Sequence, residues 1–184
     1  MKHSDERILT THVGSLPRNP VLSELLIRDE AGEAVDKAAL AREAEAAVRH
    51  VVAEQAAAGI DVLNDGEQPR VGFQTYVAQR MQGFGGESKR PRPRDYTDFP
   101  SLLAQLPQRY PRRSKVSNAP QAIAEVRYED LAPAEDECRM FRTALDKLPK
   151  APTETFTAGP RSHSISGTSD RAMRTQTAYD QVLR

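Results

Sequence analysis

The sequence lacks most of the devices that staple a small protein together. One cysteine, Cys138, stands in 184 residues. No internal disulfide can therefore form, and no zinc site can be built from several cysteines of this chain alone. Tryptophan is absent, and five Phe and five Tyr accompany 24 alanines, so large core side chains are scarce. Net charge is missing too: 26 basic residues balance 26 acidic ones. That balance excludes a globally basic nucleic-acid binder and an acidic disordered chain as descriptions of the whole. No apolar run approaches the roughly 18 residues of a membrane helix. The opening MKHSDERILTTHVGS has no apolar stretch of the signal-peptide kind, which makes a cytoplasmic protein the default expectation. The length suits one ordinary domain.

What is present has an alternating pattern. Residues 8–18 read as a short strand, with Ile8, Leu9 and Val13, running into a loop at Gly14, Ser15 and Pro17. Residues 21–35 suggest a short helix with a turn at Gly32. The clearest helix is 36–58, where Leu40, Ala44, Ala47, Val48, Val51 and Gln55 share one face. Asp36 is its candidate N-cap, and Gly59 is placed to end it. A buried strand from Ile60 to Leu63 follows. Residues 73–84 carry Phe73, Tyr76, Val77, Arg80 and Met81 at helical spacing, broken by Gly83, Gly85 and Gly86. Further on, 120–128 reads as a strand and 130–148 as a helix with Leu131, Cys138, Phe141 and Leu145 inward. Residues 153–159 suggest one more strand. Strands alternating with helices predict an α/β arrangement with parallel strands. From Pro160 onward no period is sustained.

Two strand ends carry candidate chemistry, because ligands gather at the C-terminal edges of parallel strands. The first is His12-Val13-Gly14-Ser15-Leu16-Pro17-Arg18. Here a glycine lets the backbone approach a ligand, Ser15 offers a hydroxyl and an N–H, and Arg18 offers a fork for a carboxylate. The bland alternative is a punctuated turn with Arg18 on the surface. The second is Asn64-Asp65-Gly66-Glu67-Gln68. Alternation would point Asp65 and Glu67 to similar sides, where they could hold an ammonium group or a metal. A solvated acidic turn, or Asp65 as a helix cap, explains the same residues. His12 could act as acid, base or ligand, or be held by a hydrogen bond. Cys138, on an apolar helix face, reads as a buried inert thiol.

Residues 87–115 form a basic, proline-rich excursion, with a short helix expected at 99–106. Lys89, Arg90, Arg92, Arg94, Arg109, Arg112, Arg113 and Lys115 outnumber its acids, and Tyr96, Phe99 and Tyr110 are interleaved. Such a stretch could stack on and neutralise RNA. No nucleic-acid motif accompanies it, and a solvated loop is the preferred reading.

Taken together, THVGSLPR, the helix ending in AAAGIDVLNDGEQ, and GFQTYVAQRMQGF resemble the cobalamin-independent methionine synthase family. The closer likeness is to its shorter single-barrel relatives, which include the epoxyalkane:coenzyme M transferase type. PQAIAEVRYEDL and TETFTAG extend the resemblance, which covers about residues 7–159. It implies a (β/α)8 TIM barrel of the methionine synthase/uroporphyrinogen decarboxylase-like type, and transfer of a methyl or alkyl group to a zinc-activated thiol. By resemblance, Gly14 and Ser15 would bind the carboxylate of homocysteine and Glu67 its ammonium group. His12, Arg18 and Asp65 are further substrate-binding candidates. The partners implied are a thiol acceptor and a folate-type methyl donor. Two departures matter: this chain has Asp65-Gly66-Glu67 where the methionine synthases have His-Gly-Glu, and Ser15-Leu16-Pro17-Arg18 where they have Ser-Phe-Pro-Gln. Arg18 would suit a second anionic group on the acceptor, such as a sulfonate.

The family's zinc ligands are a His-x-Cys pair and a later cysteine, and this sequence contains neither. No metal site is therefore predicted within these residues. A full barrel takes about 250 residues, so the expectation is the N-terminal half of such an enzyme, over 1–159, inactive alone. Residues 161–184 hold seven Ser or Thr and four Arg, a composition that out-of-frame reading of GC-rich DNA produces. A half barrel would leave open strand edges that favour association. The alternative expectation is a non-catalytic remnant or a subunit that pairs with a separate chain carrying the zinc half.

Overall fold

The computed structural model describes residues 5–72, 76, 79–86, 94–109, 121–128, 130–149 and 154–155. The tail from 160, and residues 87–93 and 110–115 of the basic excursion, lie outside the described residues. The first helix, α1 (Pro20–Glu30), starts with its proline in the first turn, where no N–H is needed. Asn19 caps it by accepting from the Leu22 amide. The second, α2 (Lys37–Ala57), starts at Asp36, whose side chain accepts from the Ala38 and Ala39 amides. Gly59 follows it with φ of 77°. Both helices match the sequence reading, because their caps and periods are local signals.

The α2 face buries Ala44, Ala47, Val48, Val51, Val52 and Gln55. Its first half packs on Leu22 and Leu26 of α1. Its second half meets Leu63 in β1 (Val62–Leu63) and Phe141, Ala144 and Leu145 of a later helix, numbered α5 below. Val62 lies between two parallel neighbours. Thr11 bridges it on one side, and β4 (Glu154–Thr155) pairs with β1 on the other. The expected first strand is thus a single bridge at Thr11, with Ile8 and Val13 more than four-fifths exposed. Only β-propensity pointed to those two residues, and nothing in the described structure covers them.

Between these parallel segments the chain departs from its local pattern. Tyr76, Gln79 and Arg80 are helical, but Met81–Gly85 is a strand, β2, and not the end of a helix. It pairs antiparallel with β3 (Gln121–Tyr128), so the arrangement is not purely parallel. Met81 is buried beside Tyr76, with Phe84, Val126 and Tyr128 packed against them. The register jumps between Gln82 and Phe84. A Cβ at Gly83 would lie 2.5 Å from the Glu125 carbonyl oxygen, so only glycine allows the two strands this approach.

The expected helix at 99–106 corresponds to α4 (Pro100–Arg109), and a further short helix, α3 (Arg94–Asp98), precedes it. Phe99 precedes Pro100, whose ring disfavours the helical conformation in the residue before it. The last helix, α5 (Ala132–Leu145), buries Ala134, Glu137, Phe141, Ala144 and Leu145. The buried residue at its second turn is Glu137, while Cys138 is only half-buried. The described chain is a mixed α/β structure with three parallel segments side by side and a separate antiparallel pair. No helix among the described residues is long and apolar enough to cross a membrane.

The Thr11 segment is joined to β1 by main-chain bonds from the Asp61 and Val62 amides to the Thr10 carbonyl, and by one carboxylate. Asp61 accepts from both guanidinium nitrogens of Arg7, from the Thr10 amide at 2.9 Å and from the Thr10 hydroxyl at 3.0 Å. The Arg7 hydrogen bonds, then those from Thr10, hold the Asp61 carboxyl well below the usual carboxylate range. A depressed folded pKa gives stability that is present above the unfolded value, about pH 4, and lost as pH falls toward the folded one. Protection of the Thr10 amide from hydrogen exchange should therefore decline only well below pH 4. Asp61→Ala should remove it at neutral pH. Equal protection in the variant at pH 7 would show that the clasp does not hold the segment.

Candidate functional site

The loop after Thr11 and the loop after β1 are hydrogen-bonded along their length. The Leu16 amide donates to the Gly66 carbonyl at 3.0 Å, and Gln68 Nε2 donates to the Leu16 carbonyl at 3.0 Å. Asn64 Nδ2 donates to the His12 carbonyl at 2.7 Å, while its Oδ1 accepts from the Gly66 amide at 2.8 Å. Asn64 is itself held from α2: Gln55 Nε2 donates to its carbonyl at 2.8 Å, and Gln55 Oε1 accepts from its amide at 3.2 Å. Gln55 and Asn64 are both buried. One helical glutamine therefore sets the height at which the second loop leaves its strand.

Ser15 and Glu67 meet across the loops. The Ser15 hydroxyl donates to Glu67 Oε2 at 2.5 Å. Ser15 is exposed and Glu67 half-buried. Gly14 has φ of 97°, and nothing lies within 4 Å of where its Cβ would be. A side chain there would be strained by the backbone alone, and the space above the Gly14 Cα is open. His12 Nε2 lies 2.9 Å from the Gly14 carbonyl. Since a carbonyl only accepts, that nitrogen carries the proton, and His12 braces the turn on which Ser15 sits.

The two carboxylates of the second loop go to different places. Gly66 and Glu67 have φ of 60° and 56°, so the chain there is left-handed and the alternation of an extended segment does not apply. Asp65 turns inward. Its Oδ1 accepts from the Glu67 amide at 3.0 Å, and both its oxygens accept from Arg70 Nη2, at 2.8 and 2.7 Å. Arg70 Nη1 donates to Glu137 Oε2 at 2.8 Å. That oxygen also accepts from the Tyr76 hydroxyl at 2.8 Å, and Glu137 Oε1 accepts from Arg80 Nη2 at 2.6 Å. The Arg80 guanidinium lies 4.0 Å from the centroid of the Tyr76 ring, within cation–π reach. Asp65, Arg70 and Glu137 are all more than nine-tenths buried. Burial pushes the Asp65 carboxyl up and opposes the charge on Arg70. The facing Asp65 and Glu137 carboxylates outweigh that cost and raise the Arg70 pKa, so the guanidinium stays charged. Among the described residues Glu67 makes no ion pair.

Arg18 is also engaged within the chain. It donates from Nε to the Gln68 carbonyl at 3.2 Å, and from Nη2 to the carbonyls of Glu67 at 2.6 Å and Arg70 at 2.5 Å. Burial lowers its pKa from the usual arginine value. Of the six residues singled out in the sequence, Ser15 and Glu67 thus meet, next to a Gly14 with open space at its Cα. His12, Arg18 and Asp65 are tied to the loops that carry them.

Sequence reasoning missed Gln68, Arg70, Tyr76, Arg80 and Glu137 as parts of this arrangement. A signal for Glu137 existed: it falls between Ala134 and Phe141 on the apolar stripe of α5, and a carboxylate there demands a buried cation. Among the described residues no three His, Cys, Asp or Glu side chains gather to hold a metal ion. Asp65 and Glu137, the buried carboxylates nearest the site, are already neutralised by arginine. These residues do not fit a zinc centre.

Residues 8–91 match the model of a family described as the catalytic domain of cobalamin-independent synthase. The match covers the N-terminal part of the chain and includes both loops, Arg70, Tyr76 and Arg80. Glu137 lies beyond it. No curated protein matches the chain.

Removing one partner of a buried ion pair costs up to about 3–5 kcal/mol when the other is left unpaired; Arg70 keeps one carboxylate after either single change, which places the cost below that. Asp65→Asn and Glu137→Gln should each lower the urea midpoint accordingly, with the slope unchanged. The double variant should differ from the sum of the two, because both act through Arg70. Strict additivity would show that the two carboxylates are not coupled.

Proposed function

We propose that the Gly14–Ser15 turn and Glu67 form the amino-acid end of a binding site for a thiol acceptor, in a domain that transfers a methyl or alkyl group to sulfur. The observation that carries this reading is the meeting of Ser15 and Glu67 at the ends of neighbouring parallel segments, beside an open glycine. Glu67 is the carboxylate of the cluster whose partner is neutral Ser15, so its charge is available to an ammonium group. The turn's backbone N–H groups offer donors to a carboxylate across the open space above Gly14, and the Ser15 hydroxyl, whose single proton goes to Glu67 in the free protein, joins them by rotating once an ammonium group takes its place on Glu67. A zwitterion such as homocysteine matches donor set and acceptor set together. The family match over residues 8–91 supports the same reaction class.

In that reading Thr11, β1 and β4 are consecutive parallel segments of a (β/α)8 barrel, adjacent in chain order as such a barrel requires. The described residues contribute binding and orientation: Glu67 fixes the ammonium end and Ser15 the carboxylate end, which aims the thiol along the remaining direction. A folate-type compound is the corresponding methyl donor.

A hydrogen bond to a charged group contributes about 1.5–3 kcal/mol, which corresponds to roughly tenfold to a hundredfold in affinity. Glu67→Gln should weaken homocysteine binding by that factor in isothermal titration calorimetry, leaving the unfolding midpoint nearly unchanged. Equal affinity in wild type and variant would remove Glu67 from the site.

A further inference from the structure

Arg18 has the chemistry of a ligand-binding residue, but its surroundings give it other work. Its guanidinium faces three main-chain carbonyls, those of Glu67, Gln68 and Arg70. These oxygens converge because the chain turns through two successive left-handed residues, Gly66 and Glu67. A non-glycine residue in that conformation is strained and persists only where its surroundings hold it. Asp65 holds the Glu67 amide from one side, and Arg18 holds the Glu67 carbonyl from the other. The peptide units flanking Glu67 are fixed at both ends, and with them the direction in which its side chain leaves the backbone.

We infer that Arg18 is a positioning residue, which sets the left-handed Glu67 so that its carboxylate reaches the ammonium group of the ligand, and that it does not itself bind the ligand's anionic end. The inference rests on the reading of Glu67 given above. A planar fork supplies donors in several fixed directions at once, whereas a lysine ammonium is a compact point charge on a flexible stem. Lysine at position 18 keeps the charge and loses the geometry. An anion-binding role depends chiefly on the charge, and a positioning role on the geometry.

The test compares two probes, homocysteine and 4-mercaptobutanoic acid, which differ by the amino group. Wild type should prefer homocysteine by roughly tenfold or more, the size of a charge-assisted hydrogen bond. In Arg18→Lys that preference should shrink toward unity, with the affinity for 4-mercaptobutanoic acid nearly unchanged. A preference left intact in Arg18→Lys, whether affinity for both probes is kept or falls in equal proportion, would overturn the inference. A wild type with no preference would instead overturn the assignment of Glu67. A second measurement needs no variant and stands if Arg18→Lys does not fold. Couplings across the hydrogen bonds from the Arg18 guanidinium to the carbonyl carbons of Glu67, Gln68 and Arg70 should appear in wild-type NMR spectra with and without homocysteine. Their disappearance on adding homocysteine would show that Arg18 turns to the ligand, and the inference would fail.

Discussion

Arg70 places a permanent positive charge in the interior, and much of the described structure is arranged around it. A guanidinium cannot discard its proton there, so the fold must supply counter-charge and acceptors from every side. Asp65 comes from the loop after β1, and Glu137 from α5. Tyr76 and Arg80 close the far side of Glu137. The pairing therefore fixes two things at once. It joins segments far apart in sequence, and it turns Asp65 away from the open place where Glu67 stays.

The site then follows from a division of labour among like groups. Asp65, Glu67 and Glu137 are chemically similar, as are Arg18, Arg70 and Arg80. Two of the carboxylates are neutralised by arginine in the interior, and the third meets a serine at the edge. Burial decides the division. A desolvated carboxylate without a cation is costly, so those on the inner side take guanidinium partners. Glu67, half in water, tolerates a neutral one. The result is a negative charge held in a set direction and left available, which is what recognition of an ammonium group asks for.

The legible parts of the sequence were those decided locally. Asp36 and Gly59 bracket α2 because a cap and a left-handed end are properties of a few adjacent residues. The proximity of the two loops was legible as well, since parallel strands put their C-terminal ends together. Met81–Gly85 was not, because its partner β3 begins 36 residues beyond Gly85 and the pairing overrides a helical period that runs up to Arg80. The sides of Asp65 and Glu67 were misjudged for a related reason. Alternation holds for an extended chain, and the left-handed pair Gly66–Glu67 has no strand geometry. Arg18 read as a ligand fork because the carbonyls it meets carry no side-chain signature at all.

That last point bears on how such loops are built. A sequence advertises side chains, and those proposed here to bind are short in reach: a hydroxyl, a carboxylate, a bare glycine. Their accuracy comes from main-chain groups held by neighbours of no catalytic chemistry. Gln55 fixes the start of the second loop, Asn64 joins it to the first, and His12 braces the Gly14 carbonyl. Each of these bonds places a peptide unit, and a peptide unit places the side chain that follows. An α2 glutamine with no contact of its own to Glu67 therefore bears on where Glu67 ends, through Asn64, Gly66 and the Leu16 bond. Positional accuracy at the site is accordingly a property of both loops together, and a change in either should be felt by the residue the other presents.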